Sequence, residues 1–255
     1  MDRFSSDGSS HTRDRVADEL VKAAEAGRLA DVRRMLLEGK ANPNVGARYS
    51  GAVTGWFKGY KGWMTVYPLG VAAMNGHADV VEMLLARDDV DPNLGATSTG
   101  KLELLFYGSW SPLSVAAQNG HTAVVKLLLG HPSIRPNVGS TLGPLGVLGA
   151  GSPLYDAAGK GHGEVVKLLL GHPSIRPNDG STLGPLGVLV ADSPLSTAAF
   201  KGHDEVVKLL LGHPSIRPNV GFTLGPLGVL GANSPLQAAA RAGHGEVVKL
   251  LNISV

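Results

Sequence analysis

The 255-residue sequence contains no cysteine. That excludes a disulfide framework, a thiolate metal site and a cysteine nucleophile. Neither sign of charge dominates: 23 Lys and Arg face 21 Asp and Glu, for a net charge of +2. So even a balance does not point to nucleic acid or an acidic membrane on charge alone. No apolar run approaches the roughly 20 residues of a membrane span. The start, Met1-Asp2-Arg3-Phe4-Ser5-Ser6-Asp7, lacks the apolar segment of a signal peptide. A soluble intracellular protein, cytoplasmic or nuclear, is the expectation. Asn252-Ile253-Ser254 matches a glycosylation sequon, and without a secretion signal it reads as chance. Aromatics make up only 5% of the chain, and they are unevenly placed.

What the chain has instead is a repeated unit. Ser152-Pro153-Leu154 opens a short helix, with Ser152 as N-cap and Pro153 at the first helical position. Gly161 suits the left-handed residue that ends it. A second helix around Glu164–Leu170 holds Val165, Val166, Leu168, Leu169 and Leu170, interrupted only by Lys167. A helix apolar nearly all round must be covered on more than one side, so one helix pair cannot stand alone. The Ser-Pro-Leu signal recurs at Ser111, Ser152, Ser193 and Ser234, 41 residues apart, with a variant at Tyr67-Pro68-Leu69. Each is followed by an Ala-Ala pair, a Gly-His pair and a Val-Val-x-x-Leu-Leu run. Self-similarity at such a period signals a stacked repeat array.

The unit resembles the ankyrin repeat, with its Pro-Leu, Ala, Gly-His and Val/Leu-rich signature. The resemblance covers about residues 18–251. Gly70, Ser114, Tyr155, Ser196 and Gln237 stand where the family's tetrad has His, and the period is longer than its usual 33. It implies an all-α repeat solenoid, a stack of helix-turn-helix units with projecting β-hairpins or long loops. The expected organisation is a disordered tail over 1–14 and one repeat domain over 15–255. Its repeats are 15–44, 67–93, 111–137, 152–178, 193–219 and 234–255. In the first, Asp18 takes the N-cap place and Arg33 replaces the second Val, giving an outer side that tolerates water. In the last, Val247, Val248, Leu250 and Leu251 keep the inner pattern without a polar face. Fraying, end-to-end self-association or a continuation of the chain is expected there.

The extra length lies in inserts between each repeat's final Asn and the next Pro-Leu. The inserts Val138–Gly151, Asp179–Asp192 and Val220–Asn233 share Thr-Leu-Gly-Pro-Leu-Gly-Val-Leu, which reads as strand, turn and returning strand. Leu142, Leu145, Val147, Leu148 and their equivalents are expected to stack as a satellite cluster. The first two inserts differ. Eight of the thirteen aromatics, including every Trp, fall in residues 45–66 and 94–110. Arg48, Tyr49, Trp56, Phe57, Lys58, Tyr60, Lys61 and Trp63 lie in the first, and Phe106, Tyr107 and Trp110 in the second. Rings with basic residues are what interfaces concentrate; the alternative is that they pack on each other to shape two long loops. A second set of candidates varies within the fixed frame of the first helices: Met74, Gln118, Asn119, Tyr155, Asp156, Lys160, Phe200 and Lys201.

Sites of chemistry are not apparent. His77, His121, His162, His203 and His244 recur as the Gly-His element, and His131, His172 and His213 recur before Pro. No His-x-x-x-His pair sits within one helix, so no metal site is expected. There is no Gly-x-Ser-x-Gly elbow and no phosphate loop. The reading is therefore no enzyme, no cofactor and no metal. The expected function is protein–protein interaction through the inserts and the concave face of the first helices, with an unidentified protein as partner. Two alternatives remain: a structural, self-assembling array, and a membrane-surface or nucleic-acid binder using the aromatic-basic insert 45–66.

Overall fold

The computed structural model describes residues 8–39, 41–50, 63–99, 107–139, 141–142, 148–183, 190–219 and 234–253. Among them are twelve helices in six pairs. The first pair is α1 (Gly8–Glu25) and α2 (Leu29–Leu37). Then come α3 (Pro68–Asn75) with α4 (Ala78–Leu85), and α5 (Pro112–Gln118) with α6 (Thr122–Leu129). The remaining pairs are α7 (Pro153–Lys160) with α8 (Gly163–Leu170), α9 (Pro194–Lys201) with α10 (Asp204–Leu211), and α11 (Pro235–Ala242) with α12 (Gly245–Ile253). First helices stack on first helices and second on second, so the core is one continuous seam.

The seam is built from equivalent positions. Leu113, Leu154 and Leu195, the Ala and Val pairs of repeats two to five, and Leu128, Leu169 and Leu210 are all buried. Each such Leu contributes about 1.5–3 kcal/mol by leaving water. Arg33 is exposed where Val81, Val125, Val166 and Val207 are buried, so the first pair does present a polar outer side. The start differs from expectation, because α1 begins at Gly8. The residues 8–14 assigned to a disordered tail are thus helical, and Asp18 lies inside the helix as an ion-pair partner of Lys22 at 2.7 Å. The helix-favouring run that follows, with buried Ala17, Leu20 and Val21, overrides the cap propensity of a single Asp.

Each later first helix starts as the sequence indicates. The Ser111, Ser152, Ser193 and Ser234 hydroxyls accept from the backbone N–H three residues on. The Ser111 and Ser152 hydroxyls also donate to the Val138 and Asp179 carbonyls, each at 2.7 Å, tying the helix start to the insert that follows. The ends close as Schellman motifs. At Gly161, φ is +77°, and the N–H groups of His162 and Gly161 reach the Ala157 and Ala158 carbonyls at 3.0 and 3.2 Å.

Two ladders then lock repeat to repeat. In the first, His77, His121, His162, His203 and His244 donate from Nε2 to the carbonyls of Glu25, Met74, Gln118, Gly159 and Phe200, at 2.9–3.3 Å. Each ring lies over the preceding repeat's turn glycine; a Cβ on Gly161 would stand 2.8 Å from His203 Nδ1. Glycine is required there both for its φ and for the ring. In the second, Asn44, Asn93, Asn137 and Asn178 each clamp the next repeat. The amide NH₂ donates to the Asp89, Ser133, Ser174 and Ser215 carbonyls. The amide oxygen accepts from the N–H of Asp91, Arg135, Arg176 and Arg217.

The inserts form strands, but not as separate hairpins. Strands β1 (Ala47–Ser50), β2 (Trp63–Val66), β3 (Ala96–Thr99), β4 (Tyr107–Trp110) and β5 (Thr141–Leu142) make one antiparallel sheet in that order. A second sheet holds β6 (Leu148–Ala150), β7 (Ser181–Leu183) and β8 (Val190–Asp192). Neighbouring inserts therefore pair edge to edge, as Thr65 with Thr97 and Ser109 with Thr141. In the third insert β5 lies in the first sheet and β6 in the second, with the two strands in contact and Gly139 backed against Gly151 at their base; the turn between them lies outside the described residues. The side chains of the expected aliphatic cluster lie outside the described residues.

Candidate binding surface

The inserts are tied to the starts of the first helices; of the first-helix candidates Tyr155 and Asp156 lie near that end, while Met74, Gln118, Asn119, Lys160, Phe200 and Lys201 lie at the other. On the sheet, Tyr49 pairs with Met64, Trp63 with both Ser50 and Thr99, and Tyr107 with Thr99. Trp63, Thr99 and Tyr107 thus line up across β2, β3 and β4, whereas Tyr49 shares its register with Met64. Met64 and Val66 are buried at the sheet's base, and Arg48 is exposed on β1. Trp110 pairs with Ala96 and packs, half-buried, against the core; it supports the sheet. Trp56, Phe57, Lys58, Tyr60, Lys61 and Phe106 lie outside the described residues.

The first-helix candidates separate by burial. Met74 is buried at 6% exposure, and its carbonyl accepts from both Asn119 Nδ2 and His121 Nε2. Its side chain is part of the core and offers no surface, which corrects the sequence-based assignment: an unbranched apolar residue on a short helix fills space between layers. Asn119 is half-buried and committed to that same carbonyl. Gln118 is half-buried, and its carbonyl receives His162. Lys160, Phe200 and Lys201 are exposed. Phe200 is 52% exposed, with Lys201 Nζ 5.6 Å from its ring centroid, a cation–π distance.

Between these lies a polar corner. Ser114 Oγ donates to Asp156 Oδ2 at 2.7 Å, linking the third repeat to the fourth. Tyr155 OH reaches Asp192 Oδ2 at 3.5 Å, linking the fourth repeat to the insert that follows it. Burial first, and the Asp192 carboxylate second, push the Tyr155 hydroxyl above its ordinary value. Burial likewise pushes the Asp192 carboxyl up, against hydrogen bonds from Ser196 and Tyr155 that pull it down. Asp192 Oδ1 is buried with no partner. Sequence reasoning missed Asp192. The available signal was its place before Ser-Pro-Leu, where other repeats have Trp110, Gly151 and Asn233.

This arrangement can grip a surface but holds no reactive constellation. Among the described residues, no group of His, Asp and Glu has the geometry to hold a metal ion. No described helix is long and apolar enough to cross a membrane.

Comparison with known proteins agrees with the geometry. The backbone is similar to an ankyrin repeat domain from Acinetobacter baumannii, at 21% identity and a TM-score of 0.60, covering 92% of this chain and 96% of that one. It is also similar to the human ASB11 ankyrin repeat domain, at 23% identity and 0.59, covering 92% and 82%. A third likeness is to EF0377, an ankyrin repeat protein, at 21% identity and 0.62, covering 92% and 97%. At these identities the likeness speaks for the fold. No curated protein sequence matches the chain. The family model for ankyrin repeats matches three times, over residues 20–140, 69–181 and 154–254. With the model matched along nearly all its length, and with the caps, ladders and helix pairs that it implies in place, the chain belongs to the ankyrin repeat family.

Proposed function

We propose that this chain is a non-catalytic module that binds a partner protein across its hairpin sheet and the concave face of its first helices. Ankyrin repeats are generally protein–protein interaction modules and generally not enzymes. The observation that carries the reading is Phe200. On α9 the apolar Leu195, Ala198 and Ala199 are buried at 0–1%, yet Phe200 stands 52% exposed beside Lys201. A large ring held in place but left in water is the kind of anchor that contributes most on binding. The strands carrying Tyr49, Trp63 and Tyr107 supply the sheet part of the proposed surface.

The test is a pull-down with the intact chain and with residues 51–62 removed, followed by affinity measurement on the partner. Phe200→Ala should weaken binding by about thirtyfold, the equivalent of roughly 2 kcal/mol, with an unchanged melting temperature. Trp63→Ala should behave likewise. A lower melting temperature with unaltered affinity would assign these rings to the scaffold and move the interface elsewhere.

A further inference from the structure

A second surface lies along the ends of the second helices, at the opposite end of each helix pair from Phe200 and beside the foot of the inserts. From the last turn of each middle second helix, the chain carries a Lys and an Arg with a His between them and no carboxylate. Residues 126–137 hold Lys126, His131 and Arg135; residues 167–178 hold Lys167, His172 and Arg176; residues 208–219 hold Lys208, His213 and Arg217. All six Lys and Arg are exposed. Among the described residues only Arg176 makes an ion pair, at 3.6 Å to Asp179. The same stretch of the second repeat is acidic, with Glu82, Asp88, Asp89 and Asp91 against Arg87. The field is therefore confined to repeats three to five. Helix dipoles account for a Lys in each last turn, but not for the Arg beyond the helix end.

Because α6, α8 and α10 stack in order, equivalent residues form columns. The three His rings are oriented alike: Nδ1 accepts from the Ser133, Ser174 and Ser215 N–H at 3.2–3.3 Å, which leaves the proton on Nε2. Between the columns run open apolar slots. One, between α4 and α6, is lined by Leu85, Ala123 and Leu127 with Lys126 and His131 on one wall and Glu82 of the acidic second repeat on the other. Another, between α8 and α10, is lined by Leu170, Leu209 and Pro214 with Lys167, Lys208 and His213.

The spacing selects the occupant. Packed helices lie about 8–10 Å apart, and an extended peptide advances about 3.3 Å per residue. Three residues thus span one repeat, placing every third side chain over the next column. The slots are aliphatic, and the three cationic stretches contain no Phe, Tyr or Trp, so the stacking platforms that single-stranded nucleic acid uses are missing. We propose that this face of repeats three to five binds an extended acidic segment of a partner protein. Its carboxylates lie on the Lys and Arg columns, and its aliphatic side chains enter the slots between second helices.

The test uses the full chain and a fluorescently labelled peptide of about twelve residues, repeating Glu-Leu-Ser, enough to cross three repeats. Comparison probes are the Gln-Leu-Ser and Lys-Leu-Ser peptides and an oligothymidylate of equal length. The acidic peptide should bind, and its affinity should fall with salt. The triple variant K126E/K167E/K208E should weaken it by about tenfold or more while keeping the melting temperature, since all three side chains are exposed. R135E/R217E should also weaken it, and Phe200→Ala should not, which separates this surface from the one proposed above. Equal binding of the Gln peptide, tighter binding of the oligonucleotide, or indifference to both charge reversals would overturn the proposal.

Discussion

His162 and His172 sit ten residues apart in one repeat and do different work. His162 donates to the Gln118 carbonyl at 3.0 Å across the repeat boundary, with its ring over Gly120. His172 accepts from Ser174 within its own turn. Removing the first leaves a part-buried carbonyl without its donor and opens a gap over the glycine. His162→Ala should therefore cost about 1–3 kcal/mol, whereas His172→Ala should change stability little; chemical denaturation of both variants checks this. Asp192 supplies a pH-dependent case. Its folded-state pKa is raised by burial, so the folded chain holds this proton more tightly than the unfolded one. Its contribution to stability is fully present below the ordinary carboxylate pKa and is lost as pH rises through the raised value. Asp192→Asn should then raise the melting temperature at neutral pH, and the advantage should shrink in acid. A constant difference across pH would count against burial as the cause.

At the scale of elements, the sheet binds inserts that are far apart in sequence. Strand β3 is central, with Thr97 opposite Thr65 on one side and Ser109 on the other. A residue in a central strand gives its N–H to one neighbour or the other. Thr97 is exposed, so replacing it loses little packing. Thr97→Pro should still cost about 3 kcal/mol through the lost donor. Hydrogen exchange should show protection falling in β2 and β4 together. If only β3 changed, the inserts would be independent hairpins and not one sheet.

The whole molecule is a stack whose two ends differ. Val248 is half-buried where its equivalents Val166 and Val207 are buried, and Ile253 is 84% exposed. A Cβ on Gly243 would meet nothing within 4 Å, whereas five earlier turn glycines each lie under a His ring. At the other end Arg28 occupies the place of that His and pairs with Asp31. Head-to-tail stacking of two copies therefore cannot reproduce the His ladder. Stability in such arrays grows with each added interface. Appending one 41-residue unit, with its Gly-His turn, should raise the melting temperature and increase amide protection in α12. An unaltered α12 would mean that the last interface is already complete.

Sequence alone determined the helix pairs, their caps and their register, because these rest on local chemistry repeated in phase. Ser before Pro-Leu, Gly before His and Val-Val before Leu-Leu each fix a backbone state or a buried face within a few residues. The Gly-His element was legible as a turn, but its bond to the preceding repeat was not. The tertiary structure alone decided matters that depend on residues 32 or more apart. It joined β2 to β3 and β4 to β5, sent β5 and β6 to different sheets, buried Met74 and left Phe200 in water. It also placed Asp192 against Tyr155. Met74 and Phe200 hold the same place in the repeat, and what separates them is the neighbouring layer each one meets. A periodic sequence specifies the unit; only stacking specifies which copies of a position are covered.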